Sequence, residues 1–140
     1  MSRIVVGVDG SQHSLSALRW ACAEAVLRRA SLELVAAWSI PAAALEAASA
    51  EVVDAMENSA AQALAAARAV VDECGPDLQV TEGIYDAQPA RILVERAEGA
   101  DLLVVGSRGL GDFKALLLGS VSQECSHHSP VPLVIVRNAG

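Results

Sequence analysis

Ala100-Asp101-Leu102-Leu103-Val104-Val105-Gly106-Ser107-Arg108-Gly109 is the stretch that decides the fold. Leu102 to Val105 is an unbroken apolar run without alternation, which marks a strand buried on both faces. Such strands belong to parallel sheets covered by helices. A second run of the same kind, Ile4-Val5-Val6-Gly7-Val8-Asp9, stands near the start of the chain and stops at Asp9-Gly10-Ser11. Weaker strand patterns occupy residues 32–38, closed by Pro41, and residues 78–85. A last one, Leu133-Val134-Ile135-Val136, is entered through Pro130 and Pro132.

Helical patterns fill the intervals. Ser11 is a good N-cap, and Leu15, Leu18, Cys22 and Ala25 after it form one stripe. Fourteen of the thirty residues from Pro41 to Val70 are alanine, a strong helix preference. The beginning of that segment has no stripe and reads as a mobile loop or a short helix. From Val53 onward, Val53, Met56, Ala60, Ala63, Ala67, Val70 and Cys74 share a face, and Gly75-Pro76 stops the helix. Pro89 suits a first helical turn, with Ile92, Leu93 and Ala97 facing inward and Gly99 terminating. A final helix is expected from near Ser120 to about His128.

The order βαβαβαβαβ without linker or repeat predicts one α/β domain over residues 1–140, with a parallel sheet and helices on both faces. In open sheets of this kind, ligands sit beyond the carboxyl ends of the strands, where the strand order reverses. The positions to inspect are Asp9, Trp38, Asp86 and the chain from Gly106 onward.

Composition narrows the chemistry. Hydrophobic residues make up 53% of the chain, charged residues 19% and aromatics only 3%, so the core is aliphatic. A formal net charge of −7 argues against nucleic acid as a partner. Cys22, Cys74 and Cys125 are odd in number and widely spaced, and read as free thiols. The apolar run at residues 4–8 is too short for a signal peptide or membrane span, which points to a soluble cytoplasmic protein without membrane contact.

After the fourth strand, Gly106, Gly109, Gly111 and Gly119 punctuate a loop that leads to Ser120. Gly106 and Gly109 permit tight turns and close approach of a ligand to the backbone. Free N–H groups at the start of the last helix favour an anion, and Ser120 and Ser122 add hydroxyls. Arg108 and Lys114 are the cations of the loop. A second reading needs no ligand: glycines gather in any turn, and Ser120 with Gln123 fits a capping box. Neither a Walker A sequence nor a dinucleotide fingerprint is present.

The spacing Gly106-x2-Gly109-x9-Gly119-Ser120 resembles the ATP-binding motif of the universal stress proteins, G-x2-G-x9-G-[ST]. Residues 4–11, 100–109, 118–122 and 127–136 resemble that family's first strand, fourth strand, last helix and last strand. The likeness covers essentially the whole chain and is weakest over residues 41–80. It implies a Rossmann-like, five-stranded sheet in the order 3-2-1-4-5, with Asp9 facing Gly106 across the crevice. It further implies that Asp9 bonds ribose, that backbone near Val8 and Ala37 borders adenine, and that Gly106, Gly109, Gly119, Ser120, Val121 and Ser122 surround ribose and phosphates. The chain departs from many relatives at Ala87-Gln88-Pro89, so the shape of that loop is left open.

Arg108 either screens phosphate charge or is merely solvated. Asp9 is either a turn former or a ligand contact, the strand end favouring the latter. Trp20 and Trp38 read as packing residues, Trp38 with an added place at the pocket edge. His127 and His128 suit the last turn of a helix better than catalysis, and neither a catalytic triad nor a metal-ligand spacing occurs. The resemblance therefore implies an ATP-binding regulatory or signalling module in stress response, with magnesium arriving on the nucleotide and hydrolysis slow at most. Rival readings are a binder of AMP or cyclic AMP, and a dimeric interaction module with weak or no nucleotide binding. The family also implies a homodimer through the edge strand at residues 133–136.

Overall fold

The computed structural model of the chain describes residues 2–40, 42–109 and 118–137. Strand β1 (Arg3–Gly7) is followed by α1 (Gln12–Arg28), β2 (Ser31–Trp38), α2 (Ala50–Cys74), β3 (Val80–Asp86), α3 (Pro89–Ala97), β4 (Leu102–Gly106), α4 (Ser120–His128) and β5 (Leu133–Val136). The five strands form one sheet in the order β3-β2-β1-β4-β5, and every pairing is parallel. Fold class and strand order are those expected. The ambiguous segment before α2 is a 3-10 helix, Ala42–Ala47, with no buried residue.

Alternation along the central strands feeds two cores. Ile4 and Val6 of β1, Leu32 and Leu34 of β2, and Leu102 and Val104 of β4 pack with Leu18 and Cys22 of α1 and Leu64 and Ala67 of α2. Val5, Val35, Leu103 and Val105 point the other way, to Ile92 and Leu93 of α3 and Cys125 of α4. Strands that must satisfy both faces have no position for a polar residue, which is why they read as unbroken apolar runs. Glu33 is the exception. It is 4% exposed on the second face, and its carboxylate meets Arg3 at 2.8 Å and Arg96 at 2.6 Å. The Glu33 hydrogen bond and charge hold the Arg96 guanidinium above its ordinary pKa.

The helix ends show where periodicity stops being informative. Ser11 caps α1 as expected, its hydroxyl accepting from Ser14 N–H at 3.1 Å. Along α2, burial runs from Ala60 to Val71, but Cys74 is exposed, against the expectation that it shares the inward face. A helical stripe specifies a direction and not whether a neighbour stands at that height, and the last residue of α2 reaches past its cover. Gly75 ends α2 at φ −152°, an extended value, so left-handed capping is not its reason. A Cβ there would lie 2.6 Å from Leu78 Cδ1, so a larger residue at this position requires the Leu78 side chain to shift.

Gly106 is constrained from within as well. A Cβ on it would lie 2.7 Å from the backbone carbonyl carbon of His13 and 2.8 Å from its oxygen. The smallness of Gly106 therefore serves the contact between α1 and β4, where the sequence alone suggests room for a ligand. Gly106→Ala is expected to cost about 1–3 kcal/mol by overpacking against backbone that cannot rotate away. Urea unfolding of the ligand-free variant checks this, and wild-type stability would contradict it. Burial pushes the thiols of Cys22 and Cys125 up to about 11, while Cys74 lies exposed. Ellman's reagent at about pH 8 is accordingly expected to react with Cys74 alone in native protein, and with all three cysteines in denaturant.

Candidate functional site

Because β1 and β4 are neighbours in the sheet, the chain leaves them toward opposite helical layers and a cleft opens between the two exits. Its volume is about 520 Å³, within the usual range for small-ligand sites. Every residue named from the sequence as a ligand contact lines it. Val8 and Asp9 come from the end of β1, and Ala37 from β2. Gly106, Arg108 and Gly109 come from the exit of β4, and Gly119, Ser120, Val121 and Ser122 from the start of α4. Lys114 lies outside the described residues.

The cleft lining combines apolar and polar surface. Val8, Ala37, Trp38, Met56, Ala60 and Leu93 contribute carbon surface. Arg108, Gly109 and the first turn of α4 line it as well. The N-cap of that helix is Gly119, which has no side chain to cap the first N–H groups, and among the described residues no side-chain cap bond is made there. The Ser120–Gln123 capping box is thus not formed, since Ser120 lies one residue inside the helix, where its hydroxyl cannot serve as the cap. The first N–H groups of a helix have no intrahelical acceptor, and the macrodipole makes this end attractive to an anion.

Several of these residues have structural duties that sequence reasoning did not anticipate. Ser122 is 1% exposed, and its hydroxyl is 3.0 Å from both Ser107 O and Gly119 O. It ties α4 to β4, so of the two serines Ser120 is the one that presents its side chain outward. Gly119 N–H donates to Ser107 O at 2.6 Å, which sets the angle at which α4 begins. Asp9 does act as a turn former: its Oδ1 accepts from Ser11 N–H at 2.9 Å. Gly10 completes that turn at φ +86°, a left-handed value suited to glycine. Arg108 is not simply solvated, since its terminal nitrogen lies 3.2 Å from His13 Nε2.

The third anticipated position, Asp86 at the end of β3, does not line the cleft. The loop after it does, through Gln88, Pro89 and Ala90. Met56 and Ser59 of α2 and Glu124 of α4 also line the cleft and escaped the sequence reading. Met56 carried a signal, because it lay on the inward stripe, but the same pattern describes core and pocket equally. His127 and His128 are exposed in the last turn of α4, away from its cleft end. No group of three metal-ligating side chains gathers among the described residues. Among these residues, too, no helix is long and apolar enough to cross a membrane.

Comparison with known proteins agrees with this architecture. The universal stress protein family model matches residues 1–137. Universal stress protein Rv2623 of Mycobacterium tuberculosis is 36% identical over 136 residues, which is 97% of this chain and 45% of that protein. The chain thus spans about half the length of the curated relatives it matches. Among solved structures, a universal stress protein in complex with cAMP is 29% identical, with a TM-score of 0.74 and 96% of each chain covered. The universal stress protein of Archaeoglobus fulgidus in complex with dAMP shares the fold at 23% identity and a TM-score of 0.72, covering 97% of this chain and 98% of that one. With its parallel sheet in the order β3-β2-β1-β4-β5 and a family match over nearly its whole length, this chain belongs to the universal stress protein family.

Proposed function

We propose that this chain binds an adenine nucleotide in the cleft between the exits of β1 and β4 and acts in stress response as a nucleotide-dependent regulatory or signalling module. The observation that carries the reading is the mixed lining of the cleft. Carbon surface from Val8, Ala37 and Met56 suits a base, and the start of α4, whose N-cap Gly119 has no side chain to cap with, suits a phosphate. Asp9 lines the same cleft, where a carboxylate can accept from ribose hydroxyls. Arg108, Gly109, Gly119, Ser120 and Val121 would surround the phosphates, with Gly106 and Ser122 holding that wall in place.

ATP with magnesium is the ligand that the loop spacing favours. No dedicated set of protein ligands for the metal is needed, because magnesium commonly reaches such sites on the nucleotide phosphates. The chemistry we assign is binding. His13 is the histidine nearest the cleft, and its Nε2 already accepts from Arg108, which leaves it poorly placed as a general base. A second reading, AMP or cyclic AMP as the working ligand, is supported by the relative at 29% identity that was solved with cAMP. The acidic lining residues Asp9 and Glu124 also weigh against a highly charged polyphosphate.

We further propose a homodimer through β5. It is an edge of the sheet, and Leu133, Val134, Ile135 and Val136 are all only partly buried. The opposite edge, β3, carries Glu82, paired with Arg68 at 3.3 Å, and charge of this kind protects an edge from pairing. The four side chains of β5 itself carry no charge.

Calorimetric titration with ATP, AMP and cyclic AMP, with and without magnesium, is expected to give saturable binding of at least one, and Gly119→Ala to weaken it by tenfold or more, about 1.4 kcal/mol. Absence of binding by folded protein at about millimolar ligand, roughly the weakest specific range, would sink the nucleotide reading. Ile135→Lys is expected to shift sedimentation toward monomer, and an unchanged profile would refute pairing through β5.

A further inference from the structure

His13 is the second residue of α1 and is not part of the cleft lining, yet it is tied to the exit of β4 three times. Its backbone occupies the space that a Cβ on Gly106 would need. Its ring Nδ1 lies 3.1 Å from Ser107 Oγ, and its Nε2 lies 3.2 Å from a terminal nitrogen of Arg108. A guanidinium offers only N–H donors. Nε2 must therefore be the acceptor, and in the neutral ring the proton sits on Nδ1, which donates to Ser107 Oγ.

Ser107 is a firm anchor for that chain. It is 2% exposed, and its N–H donates to Val136 O at 2.8 Å. Its carbonyl accepts from Gly119 N–H at 2.6 Å and lies 3.0 Å from the Ser122 hydroxyl. The same residue thus fixes β5, the first turn of α4 and, through His13, the guanidinium of Arg108. A cation and a helix N-terminus that both line the cleft are referenced to a single buried backbone unit.

We propose that His13 is a positioning residue that holds Arg108 at the cleft wall for the phosphate of a bound nucleotide. The inference rests on the reading of the cleft as an adenine-nucleotide site. A long cationic side chain that is already restrained loses less freedom when an anion arrives. The benefit falls to ligands that carry a phosphate, because adenosine presents no anionic group for a charge-assisted bond to a guanidinium. His13 therefore sets a preference for nucleotide over nucleoside without touching either.

The test is calorimetric titration of cyclic AMP and of adenosine against wild-type protein and the variants His13→Leu, His13→Gln and Arg108→Gln. Cyclic AMP is chosen because its phosphodiester keeps one charge throughout the neutral range. His13→Leu is expected to weaken cyclic AMP about tenfold, as loss of a charged hydrogen-bond partner does, and to match Arg108→Gln. The double variant His13→Leu/Arg108→Gln should be no weaker than either single one. Adenosine affinity should stay within about twofold in all of them, and His13→Gln, whose amide oxygen can accept from Arg108, should restore cyclic AMP binding. Equal losses for both ligands would show a structural role and overturn the inference. So would wild-type cyclic AMP affinity in His13→Leu. If wild-type protein binds neither ligand, the same variants are titrated with ATP and AMP, and if those do not bind either, the reading of the cleft falls and the positioning role with it. Independently of any ligand, imidazole ¹⁵N spectra of the wild-type protein should show the Nδ1–H form of His13, and an Nε2–H form would overturn the assigned contact.

Discussion

The pairing of β1 with β4 is the constraint on which the rest of the structure depends. These strands stand side by side although three α-helices and two further strands separate them in sequence. Both are closed over on each face, so their side chains leave almost no freedom in register. Ile4 against Leu102, Val5 against Leu103 and Val6 against Val104 pack in alternation into two separate cores. Neighbours that diverge toward opposite layers must leave a gap at their carboxyl ends. The cleft is the geometric consequence of that topology and needs no special residue to exist.

What the special residues do is hold the walls of the gap. Ser107 gathers β5, α4 and His13 around one peptide unit, and Gly106 lets the backbone of α1 lie directly against β4. Across the opening, Asp9 and Gly10 shape the turn into α1, which the Ser11 cap completes. Small residues are required here for two unlike reasons. Some let the chain turn, while others let two backbones meet. Both leave the same mark in the sequence, and only the second explains the crowding at Gly106.

The charge pattern fits a site built from backbone more than from side chains. The chain carries a net charge of −7, and Asp9 and Glu124 add carboxylates to the cleft lining. An anion would meet the N–H groups of α4 and a restrained Arg108, which act at short range where the overall charge of the protein is screened. Glu33 shows the complementary case. A nearly buried carboxylate is held there by two arginines.

The sequence by itself determined the class of fold, the strand order by resemblance, and a part of the residues that line the cleft. It could do so because strands buried on both faces must be continuously apolar, and because glycine and serine at the ends of strands and helices are demanded by local backbone geometry. The strand order passed from resemblance to observation once the pairings were seen. Only the tertiary structure decided which duty each of those residues performs. That Cys74 is exposed, that Met56 faces a cleft where a core was expected, and that Ser122 binds backbone all depend on what stands opposite. The pairing of His13 with Arg108 joins residues 95 positions apart. Periodicity and propensity describe a chain relative to itself, whereas these contacts arise between elements that the sheet brings together.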